Sequence, residues 1–226
     1  MKPSEIKRFQ SKVRKIRSLL EREYGLPKRE REGDLLDILV QTILSQNTND
    51  LNRDQAYQRL KSQFPRWEDI LTGKKRALVA ALRPGGLAKQ KAKRIIDILR
   101  WLNKREGKLD LAFLKGMDSE EVRETLGALK GIGPKTVHCL LLFGLGREAF
   151  PVDTHILRVG KRLGFIPKEM DAEKTHSWMI PLVPKGKAFS LHINLIRHGR
   201  SVCKAKNPRC SDCFLSKECL YLQGAA

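Results

Sequence analysis

Apolar residues recur at helical spacing along almost the whole chain, and this pattern limits the fold more than any other feature of the sequence. No stretch alternates apolar and polar residues for long enough to indicate a β-strand. One segment, residues 34–46, is rich in large apolar residues, as expected of a central buried helix rather than a surface one. The predicted helices span about residues 5–24, 34–46, 50–63, 74–81, 88–104, 118–127, 135–143, 153–163, 171–180 and 186–199. The sequence therefore predicts an all-α protein.

The chain is also strongly basic. Among its 226 residues, 45 Lys and Arg stand against 25 Asp and Glu, which gives a formal net charge of +20. Three segments hold the excess, with net charges of +7 for residues 1–31, +9 for residues 72–110 and +7 for residues 185–217. A polyanionic partner is therefore expected, with nucleic acid the first choice. For residues 1–31, a solvated helix surface explains the charge equally well.

Some classes of protein do not fit this sequence. Its longest apolar runs fall far short of the roughly 20 residues that a membrane-spanning helix needs, so we expect no membrane association. The basic N-terminus has no apolar segment behind it, which argues against a secretory signal. We therefore expect an intracellular monomer, located in the cytoplasm and nucleoid if the source is prokaryotic.

The segment LKGIGPKT, residues 129–136, predicts a tight hairpin between two helices. Gly131 and Gly133 allow the backbone to turn sharply and leave amide groups accessible, and Pro134 suits the first turn of the next helix. Amide groups at the start of a helix can hold a phosphate without any side-chain charge. About residues 120–144 are therefore predicted to form a helix-hairpin-helix element that binds DNA.

Two ionisable residues near helix starts are candidates for chemistry. Lys135 lies where acidic residues are usual, and the helix dipole there favours the neutral, nucleophilic form of an amine. A lysine that contacts a phosphate is the alternative interpretation. Asp153 lies in the segment PVDTHI, directly before another apolar-periodic helix, and is predicted to be its N-cap. A carboxylate held there can also stabilise a positive charge that develops on a sugar.

Four of the five cysteines form the pattern C-x6-C-x2-C-x5-C near the end of the sequence. The fifth, Cys139, lies on an apolar helix and is predicted to be in the core. A disulfide framework is not expected inside a cell, so the pattern predicts a four-thiolate centre that binds either zinc or an iron–sulfur cluster. The predicted ligands are Cys203, Cys210, Cys213 and Cys219. In the basic loop between the first two, the predicted phosphate contacts are Lys204, Lys206 and Arg209.

In combination, LKGIGPKT, PVDTHI and the cysteine pattern resemble the endonuclease III family of helix-hairpin-helix DNA glycosylases. The resemblance covers about residues 30–220. It implies a six-helix barrel domain over residues 30–146. It also implies a second helical domain that is made of residues 1–29 and 147–226 and carries the cluster loop, residues 203–219.

The resemblance further implies the residues of the site. The four cysteines would bind a [4Fe–4S] cluster, Lys135 would attack C1′ of the sugar, and Asp153 would assist. Gln46 would enter the space left by an extruded base, and Leu87 would wedge into the opposite strand. The implied partner is double-stranded DNA with damaged bases or abasic sites. The implied activity is that of a bifunctional DNA glycosylase and abasic-site lyase, which removes an oxidised pyrimidine and cuts the strand by β-elimination.

Three alternatives differ in chemistry. An adenine-mismatch glycosylase uses a catalytic Glu about where this chain has Thr42, and it lacks the hairpin lysine. A same-fold glycosylase for mispaired thymine, methylated cytosine or alkylated purine is compatible with the segment SQNTN, residues 45–49, which departs from the best-known endonuclease III pattern. A non-catalytic DNA-binding module would use the hairpin and the cysteine loop only to bind DNA. The presence of both Lys135 and Asp153 argues against that module.

Overall fold

The computed structural model describes residues 3–28 and 34–224, and within these residues it contains helices and turns but no strand. The prediction of an all-α protein is confirmed. The α-helices are α1 (Pro3–Tyr24), α2 (Leu35–Leu44), α3 (Asp50–Gln63), α4 (Glu68–Thr72), α5 (Lys75–Leu82), α6 (Ala88–Glu106), α7 (Ser119–Gly127), α8 (Pro134–Cys139), α9 (Thr154–Leu163), α10 (Ala172–Met179) and α11 (Ala188–Ser201). Short 3-10 helices lie at Arg83–Gly85, Ala112–Gly116 and Ser216–Glu218, and a π-helical turn at Leu140–Gly144 continues α8.

All ten predicted helices are present, with ends that shift by one or two residues. The short helix α4 was not predicted, because five residues are too few for a helical period to stand out. The predicted helix over residues 135–143 changes at Leu140 to the wider π-helical geometry, which apolar periodicity does not distinguish from an α-helix. The predicted helix over residues 34–46 ends at Leu44, so Gln46 lies in the turn beyond α2.

The chain divides into two compact units. One unit is Glu32–Leu145 and contains α2 to α8, and the other combines Met1–Arg31 with Gly146–Ala226 and contains α1 and α9 to α11. The domain boundary predicted at residues 29 and 30 lies outside the described residues. Across the described part of the chain, no helix has the length and apolar character needed to cross a membrane.

Helix α2 forms the centre of the Glu32–Leu145 unit. It packs against α3, α6, α8 and the π-helical turn, and none of its residues is exposed. Asp34 caps its start by accepting a hydrogen bond from the backbone N–H of Leu36 at 2.8 Å. Gly144 of the π-helical turn lies so close that an added Cβ would be 2.6 Å from Cδ2 of Leu35. The prediction of a central buried helix is confirmed, with six of its ten residues buried and four half-buried.

In the other unit, α11 packs against both α1 and α9, and α9 also contacts α10. Gly199 on α11 permits a close approach to α9, because an added Cβ would lie 2.9 Å from Cβ of His155. Asp153 comes directly before α9 and Cys203 comes shortly after α11. The contact between α9 and α11 therefore fixes the position of Asp153, a predicted catalytic residue, and the point at which the cysteine loop begins.

The hairpin between α7 and α8 depends on Gly131. Its φ of +89° lies in the left-handed region, and the N–H of Ile132 closes the turn on the carbonyl oxygen of Leu129 at 3.0 Å. An added Cβ on Gly131 would lie 2.1 Å from Nε of Arg94, a residue of α6. The hairpin therefore packs directly on the Arg94 side chain, a contact that was not predicted from the sequence.

We expect Gly131→Ala to lower the free energy of unfolding by about 1–3 kcal/mol, because it combines an unfavourable φ with an overlap on Arg94. Gly127→Ala is the matched control, since an added Cβ there would meet no heavy atom within 4 Å. At the end of α7 it should be neutral or stabilise by up to about 1 kcal/mol. Urea denaturation measures both variants. Equal stabilities of Gly131→Ala and the unsubstituted protein would show that the hairpin is not constrained in this way.

Candidate active site and metal centre

Lys135 is the second residue of α8 and lies directly behind the glycine hairpin. Gly133 is the N-cap with extended backbone and no side-chain capping bond, and Pro134 is the first helical residue. The side chain of Lys135 is half-buried, whereas the next two residues, Thr136 and Val137, are buried. The packed start of α8 therefore holds the backbone of Lys135 while its amine keeps partial access. The role of Lys135 as nucleophile stays a prediction.

Gln46 is held against the hairpin within the same unit. Its Oε1 accepts a hydrogen bond from Nη1 of Arg94, and its Nε2 donates to Oγ1 of Thr136 at 3.5 Å. Gln46 is the residue predicted to enter the space left by an extruded base. Because Thr136 follows Lys135, the structure brings Gln46 to the segment that carries the predicted nucleophile. The next residue, Asn47, is exposed and has a φ of +53°. Asn47 was not selected from the sequence, although it is the more exposed side chain of this turn.

Leu87 lies at the N-cap position of α6. Its side chain is 46% exposed, and its φ of +49° is unusual for a residue with a branched, bulky side chain. An exposed apolar side chain on a strained turn is typical of a functional contact. The predicted role as a wedge in DNA agrees with this placement and stays a prediction.

Lys91, one turn into α6, is fully buried, with a relative exposure of 1%. Its Nζ donates hydrogen bonds to the carbonyl oxygens of Leu44 and Gly85, both at 2.7 Å. Burial lowers the pKa of Lys91, and the nearby guanidinium of Arg94 lowers it further. Lys91 is therefore not part of the exposed charge of residues 72–110.

Asp153 is the N-cap of α9, as predicted. Its Oδ1 accepts a hydrogen bond from the backbone N–H of Ile156 at 2.8 Å. The residues before it are anchored by His192 on α11, whose Nδ1 donates to the carbonyl oxygen of Pro151 at 2.9 Å and whose ring packs edge-on against Phe150. The half-buried carboxylate is thus held by contacts of the residues before and after Asp153. The predicted nucleophile belongs to the other unit.

The four predicted cysteine ligands line a single pocket, together with residues of α9 and α11. None of them forms a disulfide. Within residues 3–28 and 34–224, no three His, Cys, Asp or Glu side chains converge closely enough to hold one metal ion. Four cysteine thiolates are a donor set that suits either zinc or an iron–sulfur cluster.

The electrostatics of the pocket favour a bound cation. Burial raises the pKa of the Cys213 thiol, and the other three thiols raise it further. Deprotonation of four neighbouring thiols is costly unless a metal centre neutralises the charge. Nε2 of His198 lies 3.7 Å from Sγ of Cys213, and its Nδ1 lies 3.1 Å from the hydroxyl of Tyr24. Burial lowers the pKa of His198 to about 4, so this ring is neutral near pH 7.

Two arginines on consecutive turns of α9 hold the start of the cysteine loop. Arg158 donates from Nε to the carbonyl oxygen of Cys203 at 3.1 Å and from Nη2 to that of Gly199 at 2.8 Å. Arg162 donates from Nη1 to the carbonyl oxygen of Lys204 at 2.8 Å and contacts Sγ of Cys203 at 3.3 Å. Neither arginine was singled out from the sequence, because their partners lie over 40 positions away. The three predicted phosphate-contact residues of this loop are exposed: Lys204, Lys206 and Arg209.

Comparison with known proteins places these features in a family. Residues 40–182 match the family model of the HhH-GPD superfamily of base excision DNA repair proteins. The chain is 42% identical over 175 residues to an Arabidopsis thaliana protein named "Putative DNA glycosylase", and the match covers 76% of this chain. The chain spans 60% of the length of that relative. It is 31% identical over 195 residues to endonuclease III of Thermotoga maritima, which covers 86% of this chain and 87% of the relative.

Among solved structures, a non-covalent endonuclease III–DNA complex matches with a TM-score of 0.81 at 23% sequence identity. The match covers 95% of this chain and 97% of the other. At this identity the likeness concerns the fold, and it confirms the predicted helix-hairpin-helix glycosylase fold. With the family match and the 31% identical relative, it leads to one conclusion: the chain belongs to the HhH-GPD superfamily of base excision DNA repair proteins and, within it, to the endonuclease III family.

Proposed function

We propose that this protein is a bifunctional DNA glycosylase and abasic-site lyase, with Lys135 as its nucleophile. The observation that carries the proposal is the position of Lys135, half-buried at the start of α8 behind a glycine hairpin, in a chain of a base excision repair family. Double-stranded DNA with a damaged base or an abasic site is the proposed partner. The formal net charge of +20 supports a phosphate-rich partner.

Lys135 performs the covalent steps. Its neutral amine attacks C1′ of the deoxyribose while the bond from C1′ to the base breaks, and the base leaves with the electron pair and takes up a proton. The amine loses its protons as the sugar ring opens, which produces a Schiff base. Removal of a proton from C2′ then expels the 3′ phosphate oxygen and cuts the strand. Water finally hydrolyses the Schiff base and restores the amine of Lys135.

Asp153 is the proposed electrostatic partner in this reaction. As an anion, its carboxylate stabilises the positive charge that the sugar acquires while the bond to the base is breaking. The hydrogen bond from Ile156 and the anchoring of Pro151 by His192 keep the carboxylate in place before the substrate arrives. A preorganised charge needs little rearrangement during the reaction, which is the main source of its catalytic effect.

We further propose a [4Fe–4S] cluster on Cys203, Cys210, Cys213 and Cys219. The shared pocket and the crowding of the four thiols support this proposal. When bound, the cluster would cross-link the loop and take no part in turnover. Arg158 and Arg162 then hold the loop from the side of α9, and its exposed basic side chains contact DNA phosphates.

For the base that is removed, we propose an oxidised pyrimidine. Thr42 lies about where an adenine-mismatch glycosylase would use a catalytic Glu, so α2 offers no acid there, and the hydroxyl of Thr42 donates to the carbonyl oxygen of Ile38 at 2.8 Å. A glycosylase for mispaired thymine, methylated cytosine or alkylated purine is the alternative. Duplexes that each contain one of these bases, tested side by side with an abasic duplex, separate the substrate classes by rate.

Borohydride trapping on an abasic duplex tests the nucleophile. We expect the unsubstituted protein to form a covalent adduct and Lys135→Ala to lose at least about 10³-fold in trapping rate, because the attacking amine is gone. Lys130→Ala is the matched control, since Lys130 is an exposed lysine of the same hairpin. It should keep the adduct. An adduct with Lys135→Ala at the original rate would rule out Lys135 as the nucleophile.

Substitution of Asp153 separates its capping role from its charge. Asn caps a helix as well as Asp does, so Asp153→Asn should keep the thermal midpoint of the protein. The rate of base removal should nevertheless fall by about 10²–10³-fold, because the negative charge at the sugar is lost. Asp153→Ala should lose both the cap and the rate. If Asp153→Asn removes bases as fast as the unsubstituted protein, the carboxylate only caps α9.

Metal analysis tests the cluster. Protein purified without oxygen should be brown and contain about four iron atoms per chain. Cys203→Ala should lose iron and thermal stability, because one ligand of the centre is missing. Cys139→Ala is the control and should keep its iron, since Cys139 lies in the core of the other unit. Stoichiometric zinc without iron would contradict the proposed cluster.

A further inference from the structure

The buried ammonium of Lys91 joins two chain segments that are distant in sequence. Its Nζ binds the carbonyl oxygens of Leu44 and Gly85, both at 2.7 Å. Leu44 is the last residue of α2, and Gly85 ends the 3-10 helix before α6. Because both oxygens bind the same nitrogen, the distance between the two chain segments is fixed at this point.

Each of these carbonyl groups comes just before an exposed turn. Asn47 follows Leu44 by three positions, is exposed and has a φ of +53°. Leu87 follows Gly85 by two positions, is 46% exposed and has a φ of +49°. Among the described residues, only one other non-glycine residue has a positive φ, namely Asn207 in the basic part of the cysteine loop. Such backbone persists only where the surrounding structure enforces it, and it is frequent at functional contacts.

Capping of α2 accounts for only one of the two hydrogen bonds of Lys91. The carbonyl group of Leu44 lies at the negative end of the α2 dipole, where a cation is favoured. Removal of an amine from water is nevertheless costly, and the acceptors of Lys91 are two uncharged carbonyl groups. A well-packed apolar side chain often stabilises a core as well as a buried charge does. What an apolar side chain cannot do is bind two carbonyl oxygens at a set separation.

We propose that Lys91 is a positioning residue that sets the spacing of the Asn47 and Leu87 turns, so that both enter the DNA duplex together. Leu87 supplies an apolar side chain that can separate stacked bases. Asn47 supplies an amide that can hydrogen-bond to a base whose partner has been extruded. Gln46 instead holds the first turn against the hairpin through Arg94 and Thr136. This inference rests on the proposed function, because the spacing matters only if the two turns meet DNA.

The test compares Schiff-base trapping on duplex and single-stranded oligonucleotides that carry the same abasic site. Lys91→Met keeps an unbranched side chain that is one atom shorter and removes its hydrogen-bond donors. We expect trapping on the duplex to slow about tenfold or more, because base pairs must be opened there. Trapping on the single strand should change by less than about twofold. Lys104→Met, an exposed lysine near the end of the same helix, is the matched control and should change neither rate.

A double-mutant cycle distinguishes positioning from general damage to the fold. If Lys91 acts through the Leu87 turn, Lys91→Met should slow duplex trapping by less than about twofold further in a Leu87→Ala background. Additive losses, or equal losses on duplex and single strand, would overturn the proposal. If Lys91→Met does not fold, Lys91→Gln takes its place, because its side chain keeps an amide donor. For Lys91→Gln, too, trapping must slow on the duplex and not on the single strand. If the unsubstituted protein forms no adduct on either oligonucleotide, the proposed function itself fails.

Discussion

The desolvation of α2 is the constraint on which the Glu32–Leu145 unit depends. A helix without an exposed residue loses most of its contact with water, so the protein must supply partners for its buried terminal groups. Asp34 caps the first turn, and Lys91 binds the carbonyl oxygen of Leu44 at the other end. The same amine binds the carbonyl oxygen of Gly85. One nitrogen therefore satisfies the buried end of the central helix and joins it to the chain segment before α6.

Helix α9 organises the other unit in a comparable way. Its first turn holds Asp153 through a backbone N–H, and Arg158 and Arg162 hold the beginning of the cysteine loop. A guanidinium presents several donors in one plane, so each arginine can satisfy more than one acceptor of the loop. The proposed catalytic carboxylate and the proposed cluster loop are thus attached to one short helix. In this arrangement the proposed cluster would support the site through rigidity, with no redox role.

The features that were predicted correctly from the sequence depend on close neighbours along the chain. The capping bond of Asp153 spans three residues, and the turn around Gly131 closes between Leu129 and Ile132. The many large apolar residues of α2 likewise indicate its burial. The roles of Lys135, Asp153 and the cysteines were suggested by the family resemblance and stay predictions.

What could not be predicted from the sequence depends on partners far along the chain. Lys91 binds a carbonyl group 47 positions away, Arg94 binds an amide 48 positions away, and His192 binds a carbonyl group 41 positions away. Local periodicity counts such residues as surface charge, because it contains no information on the third dimension. Asn47 is exposed in place of Gln46 because α2 ends at Leu44 and not at residue 46, where the predicted helix ended.

The central claim is that the amine of Lys135 forms the covalent bond to the sugar. The most direct test is to reduce the adduct with borohydride, digest protein and DNA, and locate the modified peptide by tandem mass spectrometry. The account predicts that the added sugar mass lies on Lys135 in the segment that begins the eighth helix. An adduct on Lys130, on Lys91 or on any other amine would contradict it.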